Sequence, residues 1–394
     1  MALSWSGFSD VAKELYPDGI DEELCMKSHP LLSMVQHRTD FYHRYLHIPI
    51  RYKLAGVGAS HTAAKSVTNE SAGSYDAFQV TRINDYAFWR IAGEVVDAAK
   101  AGNDAVFIDS LKSEMDGCLE NMGNKLGKEI YRGTSGSRAQ VGSGTSSPIT
   151  LKNIEDIYYF EVGQVITAND TDDTTSPRSG TGTITAINED TGVITYSGTI
   201  TSLAVDDYLF VEGDEGAAAA GLSAWCPSSA PGATAFYGVD RSSNTTRLGG
   251  IRFDASAYAM EEVLIRARAR AARSAHKPDY YFCNPTDLAD FEVAKEGSKQ
   301  LVSAREYSFG IESVRAYGVD LVSDPDCPPG VMYALDMSAF GWASMGECPR
   351  LFNGDGLDFI RTGAGVDQYE GQMVARHNFY SDAPGKIMRI ALPA

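Results

Sequence analysis

Two histidines have the spacing that a metal site needs. His43 and His47 stand four residues apart, so on a helix they would share one face, as in two-histidine zinc sites. No cysteine or other obvious third ligand lies near them, and Pro49 is expected to end a helix at this point. We therefore predict solvated or interface histidines here, and no zinc site.

Two acidic loops offer oxygen ligands for a hard cation such as calcium. Asp170, Asp172 and Asp173 lie in a Thr-rich loop, and the segment NGDGLD (353–358) adds an amide and two carboxylates. The first loop lacks the glycine turn and the distal glutamate of a calcium-binding loop, and the second is no better a candidate. Both are expected to be solvated turns.

Four arginines follow one another at short spacing in a predicted helix: Arg266, Arg268, Arg270 and Arg273. Such a basic face could meet nucleic acid or the acidic edge of a neighbouring subunit. Cations are also favoured near the C-terminal end of any helix by its macrodipole. We expect a solvated helix face, with an intersubunit salt bridge as the alternative.

The sequence carries no recognisable motif for catalysis or cofactor binding. There is no Gly-Lys-Ser/Thr after a glycine-rich loop, no dinucleotide-binding glycine motif between a strand and a helix, and no G-x-S-x-G elbow. We therefore predict no catalytic, cofactor-binding or metal-binding residue. A hydrolase using Ser, Cys or His residues without a recognisable motif is the competing hypothesis from another functional class.

Composition and charge bound the class of protein. At 394 residues with 43% apolar and 22% charged residues, we expect two or three folded domains. The net charge of −18 opposes binding to nucleic-acid phosphates or to anionic lipid. No apolar run is long enough for a transmembrane helix, and no secretory signal is visible. Six scattered cysteines without a CxxC pair indicate reduced thiols made in a cytosol.

The order of structural segments is more informative than any motif. An extended polar segment over 48–90 precedes one long amphipathic helix over 104–131, which Asn103 or Asp104 could cap. The extended segment fits either a long surface loop or a two-stranded arm over a neighbour. The helix contains Gly117, Gly123 and Gly127. These glycines suggest either that the helix packs closely against another backbone or that it is a core helix that tolerates them.

The remaining segments alternate between β-rich and mixed regions. Residues 133–148 (GTSGSRAQVGSGTSSP) have the composition of a flexible linker, and 160–214 read as a small all-β unit with a polar hairpin loop at 188–192. A second helix is predicted over 254–275 with a cap at Asp254 or Ser256, and a third over 286–296 with Thr286 as its cap. Strands are predicted at 319–322 and 331–335, and from 350 to the end.

This order of segments resembles the major capsid proteins of tailed bacteriophages, which have the Hong Kong ninety-seven fold. The segment AVFIDSLKSEMDGCLENMGNKLGKEIYRG (105–133) is similar to the spine helix of that family. The segments DYYFCNPTDLADF (279–291) and GVDLVSDPDCPPGVMYALDMSAFGWA (318–343) resemble its axial domain. The tail GQMVARHNFYSDAPGKIMRIALP (371–393) resembles the last pass through its peripheral domain.

The resemblance implies an α+β fold with defined parts. They are an N-terminal arm (1–47), an extended E-loop (48–92), a peripheral domain with the spine helix 104–131 and a linker (93–147), an inserted β-domain (148–215), a mainly axial domain (216–345) and return strands of the peripheral domain (346–394).

The implied function is structural. Copies of the chain would form hexamers and pentamers in an icosahedral shell around double-stranded DNA, which is enclosed without sequence-specific contacts. A separate scaffolding protein, a portal and a decoration protein are the implied partners, with no membrane involved. The implied location is the virion, after synthesis in the host cytoplasm. An encapsulin-like compartment shell shares the fold and is the alternative within it.

Overall fold

The computed structural model describes residues 29–56, 59–92, 104–274, 276–296, 303–306, 312–316, 319–352, 359–361 and 367–393. The helices are α1 (Pro30–Met34), α2 (Ala63–Thr68), α3 (Asp104–Glu129), α4 (Leu222–Trp225), α5 (Met260–Arg273) and α6 (Pro285–Glu296). The first strands are β1 (Gln36–Arg38), β2 (Tyr45–Lys53), β3 (Ser74–Thr81), β4 (Ile83–Ala92), β5 (Ala139–Ser143), β6 (Ile149–Leu151), β7 (Val165–Asn169), β8 (Gly182–Asn188), β9 (Val193–Gly198) and β10 (Tyr208–Val211). The later strands are β11 (Ile251–Asp254), β12 (Tyr280–Cys283), β13 (Ser303–Glu306), β14 (Glu312–Ala316), β15 (Val319–Ser323), β16 (Val331–Leu335), β17 (Phe340–Ser344), β18 (Arg350–Leu351), β19 (Phe359–Arg361), β20 (Gln368–Ser381) and β21 (Ile387–Ala391).

The chain divides into two compact units. One consists of residues 128–225, and the other combines the segments before and after it. Residues 1–28 of the predicted arm, Asn103 and the acidic segment 353–358 lie outside the described residues. None of the described helices is both long enough and apolar enough to cross a lipid bilayer.

The larger unit contains a sheet built around β20. This strand pairs antiparallel with β4, from Gln368 opposite Ala92 to His377 opposite Ile83. It also pairs with β17, β18 and β19, and β1 lies parallel to β17. Residues 83–92, which the resemblance assigns to the E-loop, pair along one edge with β20 in this sheet. Trp89 is buried and lies over Gly371, where any Cβ would clash with the indole.

The second sheet of the larger unit runs β11-β21-β16-β12-β15-β14-β13. Its strands β12, β16 and β21 supply Tyr281, Met332 and Met388 to a core that the helices α5 and α6 cover. The strands predicted at 319–322 and 331–335 are β15 and β16, in agreement with the sequence.

Helix α5 begins six residues later than the sequence predicts. Asp254 accepts hydrogen bonds from the backbone and the hydroxyl of Ser256, so it stabilises a turn before the helix and does not cap it. The residue at the N-cap is Ala259, which has no side-chain cap. At α6 the cap is Asn284, not Thr286, because the Asn284 amide oxygen accepts from the backbone N–H of Thr286.

The long helix α3 ends at Glu129, close to the predicted end at 131. Met115, Leu119, Met122 and Leu126 form its buried stripe, as the spacing predicts. It is tied to the β20 sheet by Lys125, which donates to Asp85 on β4 at 2.6 Å.

His377 on β20 bonds the other carboxylate oxygen of Asp85 at 3.0 Å. Burial disfavours the ionised form of Asp85, yet the His377 hydrogen bond and the Lys125 charge lower its pKa to about 2. The carboxylate therefore stays charged and holds helix and sheet together.

The smaller unit contains a closed barrel of six strands in the order β10-β5-β6-β9-β8-β7. Val141, Ile149, Ile166, Ile194 and Leu209 fill its core, each completely buried. The predicted hairpin loop at 188–192 joins β8 to β9 and ends at Gly192, whose φ of +64° suits glycine.

The interpretation of 133–148 as a flexible linker is wrong for Ala139–Ser143, which is strand β5 of the barrel. Ala139 and Val141 alternate inwards into the core, while Gln140 pairs with Tyr208 of β10. Gly142, one of the glycines that suggest a linker, allows close contact between strands instead. A Cβ on Gly142 would lie 2.9 Å from the Leu151 carbonyl oxygen of the neighbouring strand. The all-β unit therefore starts before residue 148.

Candidate assembly surface

A two-stranded hairpin is the clearest candidate for contact with another chain. Strands β2 and β3 pair antiparallel from Tyr45 opposite Thr81 to Lys53 opposite Ser74, with a bulge near Arg51. They pair with each other and with no other described strand. The sequence leaves open a long surface loop or a two-stranded arm. The structure shows two paired strands, which span 45–81.

The root of the hairpin is fixed within the larger unit. Ile48, Phe78 and Val80 are buried, and the Phe78 ring meets Phe236 edge-on at 6.4 Å. The backbone N–H of Gln79 donates to the Tyr237 carbonyl at 2.9 Å. These contacts hold the root rigidly, so the direction of the arm is set by packing.

The outer part of the hairpin buries nothing of its own. Every described residue from 54 to 73 is at least partly exposed, including the short helix α2. Three large apolar side chains lie open to solvent: Leu54 is 49% exposed, Val67 is 73% exposed and Tyr75 is 70% exposed. Exposed apolar side chains on a projecting arm, away from any core of their own, indicate a surface that another chain covers.

The residues after the N-terminal segment are held by a buried clasp, which we define as His29, Asn124, Asp324 and Asp326. Nδ1 of His29 bonds the Asp326 carboxylate, and Nε2 lies 3.1 Å from the Asn124 amide oxygen on α3. The backbone N–H of Leu31 donates to Asp324 at 3.0 Å. Gly127 makes room for this arrangement, because a Cβ there would lie 2.7 Å from an Asp326 oxygen.

The electrostatics of the clasp favour a charged histidine. Burial alone lowers the pKa of His29, but the hydrogen bond and charge of Asp326, together with Asp324, raise it above its ordinary value. A protonated His29 donates from both ring nitrogens, which matches a carboxylate on one side and an amide oxygen on the other. Sequence reasoning missed this site because its members lie 297 residues apart.

The histidines weighed as zinc ligands do not form a site. His47 lies on strand β2 and His43 in the loop before it, so the helical face that the spacing would require does not exist. Both are exposed.

The Thr-rich loop with Asp170, Asp172 and Asp173 is an exposed turn at one end of the barrel. Asp173 accepts hydrogen bonds from Thr171 and Thr175 within the loop, and Asp170 pairs with Arg178 at 3.1 Å. The carboxylates of Asp170 and Asp173 are thus engaged with the loop's own donors. The second acidic segment, 353–358, lies outside the described residues.

The arginines of α5 lie mainly on an exposed face. Arg266 pairs with Glu262 one turn earlier at 2.7 Å and also lies over the Tyr258 ring at 4.1 Å. This intrahelical pair is what a solvated helix face predicts.

Four of the five described cysteines are buried, and none of the five is in a disulfide. Burial raises the pKa of the Cys226 thiol to about 11 and that of Cys283 to about 12. Buried thiols that stay protonated are poor nucleophiles and poor metal ligands. These cysteines therefore act as core side chains.

No family model matches the sequence, and no curated protein matches it. Solved structures do match. The structure of the cyanophage A-1(L) capsid asymmetric unit aligns with a TM-score of 0.54 at 12% identity, covering 96% of this chain and 95% of that one. This chain has the fold of that capsid protein. The predicted mixed helix–sheet fold of the Hong Kong ninety-seven type is thus confirmed, while the division into an arm, an E-loop, peripheral and axial domains and an inserted β-domain stays a prediction.

Two further structures align over nearly the whole chain with lower scores. The SrpI encapsulin complex of Synechococcus elongatus PCC 7942 gives a TM-score of 0.46 at 8% identity, with 97% of this chain and 94% of that one covered. A structure titled Mycobacterium phage Bobi gives 0.45 at 11% identity, with 100% of both chains covered. We base the fold on the cyanophage capsid, since scores below 0.5 do not establish a shared fold.

Proposed function

We propose that this chain is the major capsid protein of a tailed phage. Copies assemble as hexamers and pentamers into an icosahedral shell that encloses the double-stranded DNA genome, and the role is structural, not enzymatic. The observation that carries the proposal is the match to the cyanophage A-1(L) capsid chain over 96% of this chain and 95% of that one. The match runs along nearly the whole length of both chains.

The exposed hairpin gives this role a physical basis. Fully burying an exposed Leu or Val side chain contributes about 1.5–3 kcal/mol, and covering Leu54 and Val67 recovers the fraction of this that corresponds to their exposure, 49% and 73%. Each subunit in a closed shell offers its own arm and receives another, so the contact is repeated at every interface. An isolated subunit would leave these side chains in water. The arm is therefore explained by assembly.

The parts of the chain follow the same proposal. The described residues before the hairpin (29–44) belong to the N-terminal arm, and the hairpin 45–81 is the E-loop. Helix α3 is the spine helix of the peripheral domain, and the β20 sheet is its sheet. The second sheet, with α5 and α6, forms the axial domain. The barrel over 139–211 is an inserted β-domain.

Partners and location follow from the role. A separate scaffolding protein shapes the shell, a portal occupies one vertex and a decoration protein binds outside. The subunit is made in the host cytoplasm and resides in the virion. The net charge of −18 opposes binding of DNA phosphates, so the DNA is enclosed without tight contacts and can leave again.

The test is negative-stain electron microscopy of the purified full-length chain, together with its mass distribution in solution. Closed shells, capsomer rings or tubes are expected. Limited proteolysis provides the second readout, with cleavage expected between residues 54 and 73 in free subunits and protection in particles. A compact monomer that resists cleavage there would refute the proposal.

The contents of the particles separate the phage shell from the encapsulin-like alternative. Particles purified from their natural source are expected to contain double-stranded DNA of one length. Particles filled with one enzyme and no DNA would support the compartment instead. Hydrolase activity of a stable monomer would support the third hypothesis.

A further inference from the structure

The outer face of α5 forms one wall of a groove of about 600 Å³. Ile265, Ala269 and Ala272 recur there at steps of four and three residues, on the side of the helix opposite its buried stripe. Ile265 is 50% exposed. The groove is lined by Ile265, Arg268, Ala269, Ala272, His276, Lys277 and Pro278. Its floor is therefore apolar, and two permanent cations line it.

A buried histidine adds polar capacity to this groove. His276 is 6% exposed, and neither of its ring nitrogens has a hydrogen-bond partner among the described residues. A buried imidazole without hydrogen-bond partners is unfavourable, since it has lost its hydrogen bonds to water and formed no others. A carboxylate entering the groove would supply an acceptor for one ring N–H and a counter-charge for Arg268 and Lys277.

The same chain presents a surface of matching chemistry. On α6, Asp290 and Val293 stand three residues apart and share one exposed outer face, and Ala289, one turn before Val293, is exposed beside them. Asp290 is exposed and Val293 is 69% exposed. An acidic side chain next to a bare apolar one complements a groove with an apolar floor and cationic lining.

We propose that the groove on α5 receives the outer face of α6 from a second copy of this chain. Val293 packs on Ile265, and Asp290 meets Lys277, Arg268 and His276. The two surfaces are different patches of one subunit, so each copy can receive one neighbour in its groove and offer α6 to another. In the hexamers and pentamers proposed above, this head-to-tail contact repeats around the ring. This inference rests on the proposed function, because it assigns one of the contacts within a capsomer.

Disulfide trapping tests the contact directly in the full-length chain. The double variant Ile265→Cys/Val293→Cys is oxidised mildly and run on a non-reducing gel. A ladder extending beyond the dimer is expected, because a head-to-tail contact links each copy to two others. The single variants Ile265→Cys and Val293→Cys are the controls, and they measure background from the native cysteines. Both positions are exposed, so the substitutions leave the fold intact.

The outcomes separate this inference from the proposed function. If wild-type chain forms particles but the double variant gives no ladder above the single variants, the groove contact is wrong and the capsid role stands. A ladder that stops at the dimer overturns the head-to-tail arrangement. If neither particles nor ladders form, both proposals fail.

Charge reversal and thiol labelling provide independent tests. Asp290→Lys is expected to weaken capsomer association about tenfold or more, as close interfacial charge pairs do. Adding Lys277→Glu should restore much of the loss, which a merely destabilised α6 would not show. In particles, Ile265→Cys and Val293→Cys should both be protected from a thiol reagent. Protection of Ile265→Cys alone would mean that another chain or segment fills the groove, and the proposal would be wrong.

Discussion

Replacing His29 with leucine should release the clasp that holds the start of the described chain. The substitution leaves Asp326 without its cation, and nearby Asp324 loses a favourable charge. Both carboxylates are buried, at 5% and 1% exposure, so water cannot replace the lost charge. Breaking a buried ion pair by removing one partner costs about 3–5 kcal/mol. Since Leu31 donates its N–H to Asp324, the segment that contains α1 should open more often.

Hydrogen exchange followed by mass spectrometry measures this opening in peptides covering residues 29–38. A loss of about 3–5 kcal/mol corresponds to exchange faster by about a hundredfold to several thousandfold in these peptides. His47→Leu is the matched control, because His47 is an exposed histidine on the hairpin. Its effect should stay within about 0.5 kcal/mol.

The dependence on pH has a definite sign. The pKa of His29 is raised in the folded chain above its ordinary value of 6.5. Its contribution is therefore fully present below pH 6.5 and is lost as the pH rises through the folded value. The hydrogen-exchange protection of residues 29–38, corrected for intrinsic exchange rates, should fall in wild type from pH 6.5 upwards. In His29→Leu it should not fall. If wild type and His29→Leu were equally protected from exchange at pH 6, or if their protection changed equally with pH, the ion pair would be refuted.

Three further predictions concern the hairpin and the barrel. Phe78→Ala empties the buried root and should lower the free energy of unfolding by about 3–5 kcal/mol; a denaturant midpoint like that of wild type would contradict it. Val67→Asp should change stability by no more than about 0.5 kcal/mol yet reduce particle yield in electron micrographs, whereas normal yields would mean that the tip is not covered. Arg178→Ala leaves buried Asp207 without its bidentate partner and should lower the thermal midpoint of the barrel; an unchanged midpoint would exclude the pair as a stabilising contact.

Features set by local periodicity were predictable from the sequence. The long helix over 104–131 differs from the observed α3 by two residues at its end, because its apolar stripe and its length leave few alternatives. The strands at 319–322 and 331–335 were also predicted correctly, since short runs rich in β-branched and apolar residues between turn residues favour strands over helices.

Features that depend on distant partners were not predictable. Strand β5 has the glycine and serine content of a linker, and only its pairing with β6 and β10 shows that these residues allow close approach. The helix starts were shifted because Asp254 can bond a turn as well as a helix end. The clasp joins His29 to Asp326 through the fold, so no spacing along the chain indicates it.

The barrel's two chain ends meet at one place. Strand β5, which enters the barrel, lies beside β10, which leaves it, and the N–H of Gly216 donates to the Ser135 carbonyl at 2.7 Å. A segment whose ends are already in contact can be removed or exchanged without stretching the chain on either side. Residues 136–215 are therefore a cassette, and a chain with this architecture could exchange the whole barrel for a short turn or for a foreign domain with closely spaced termini.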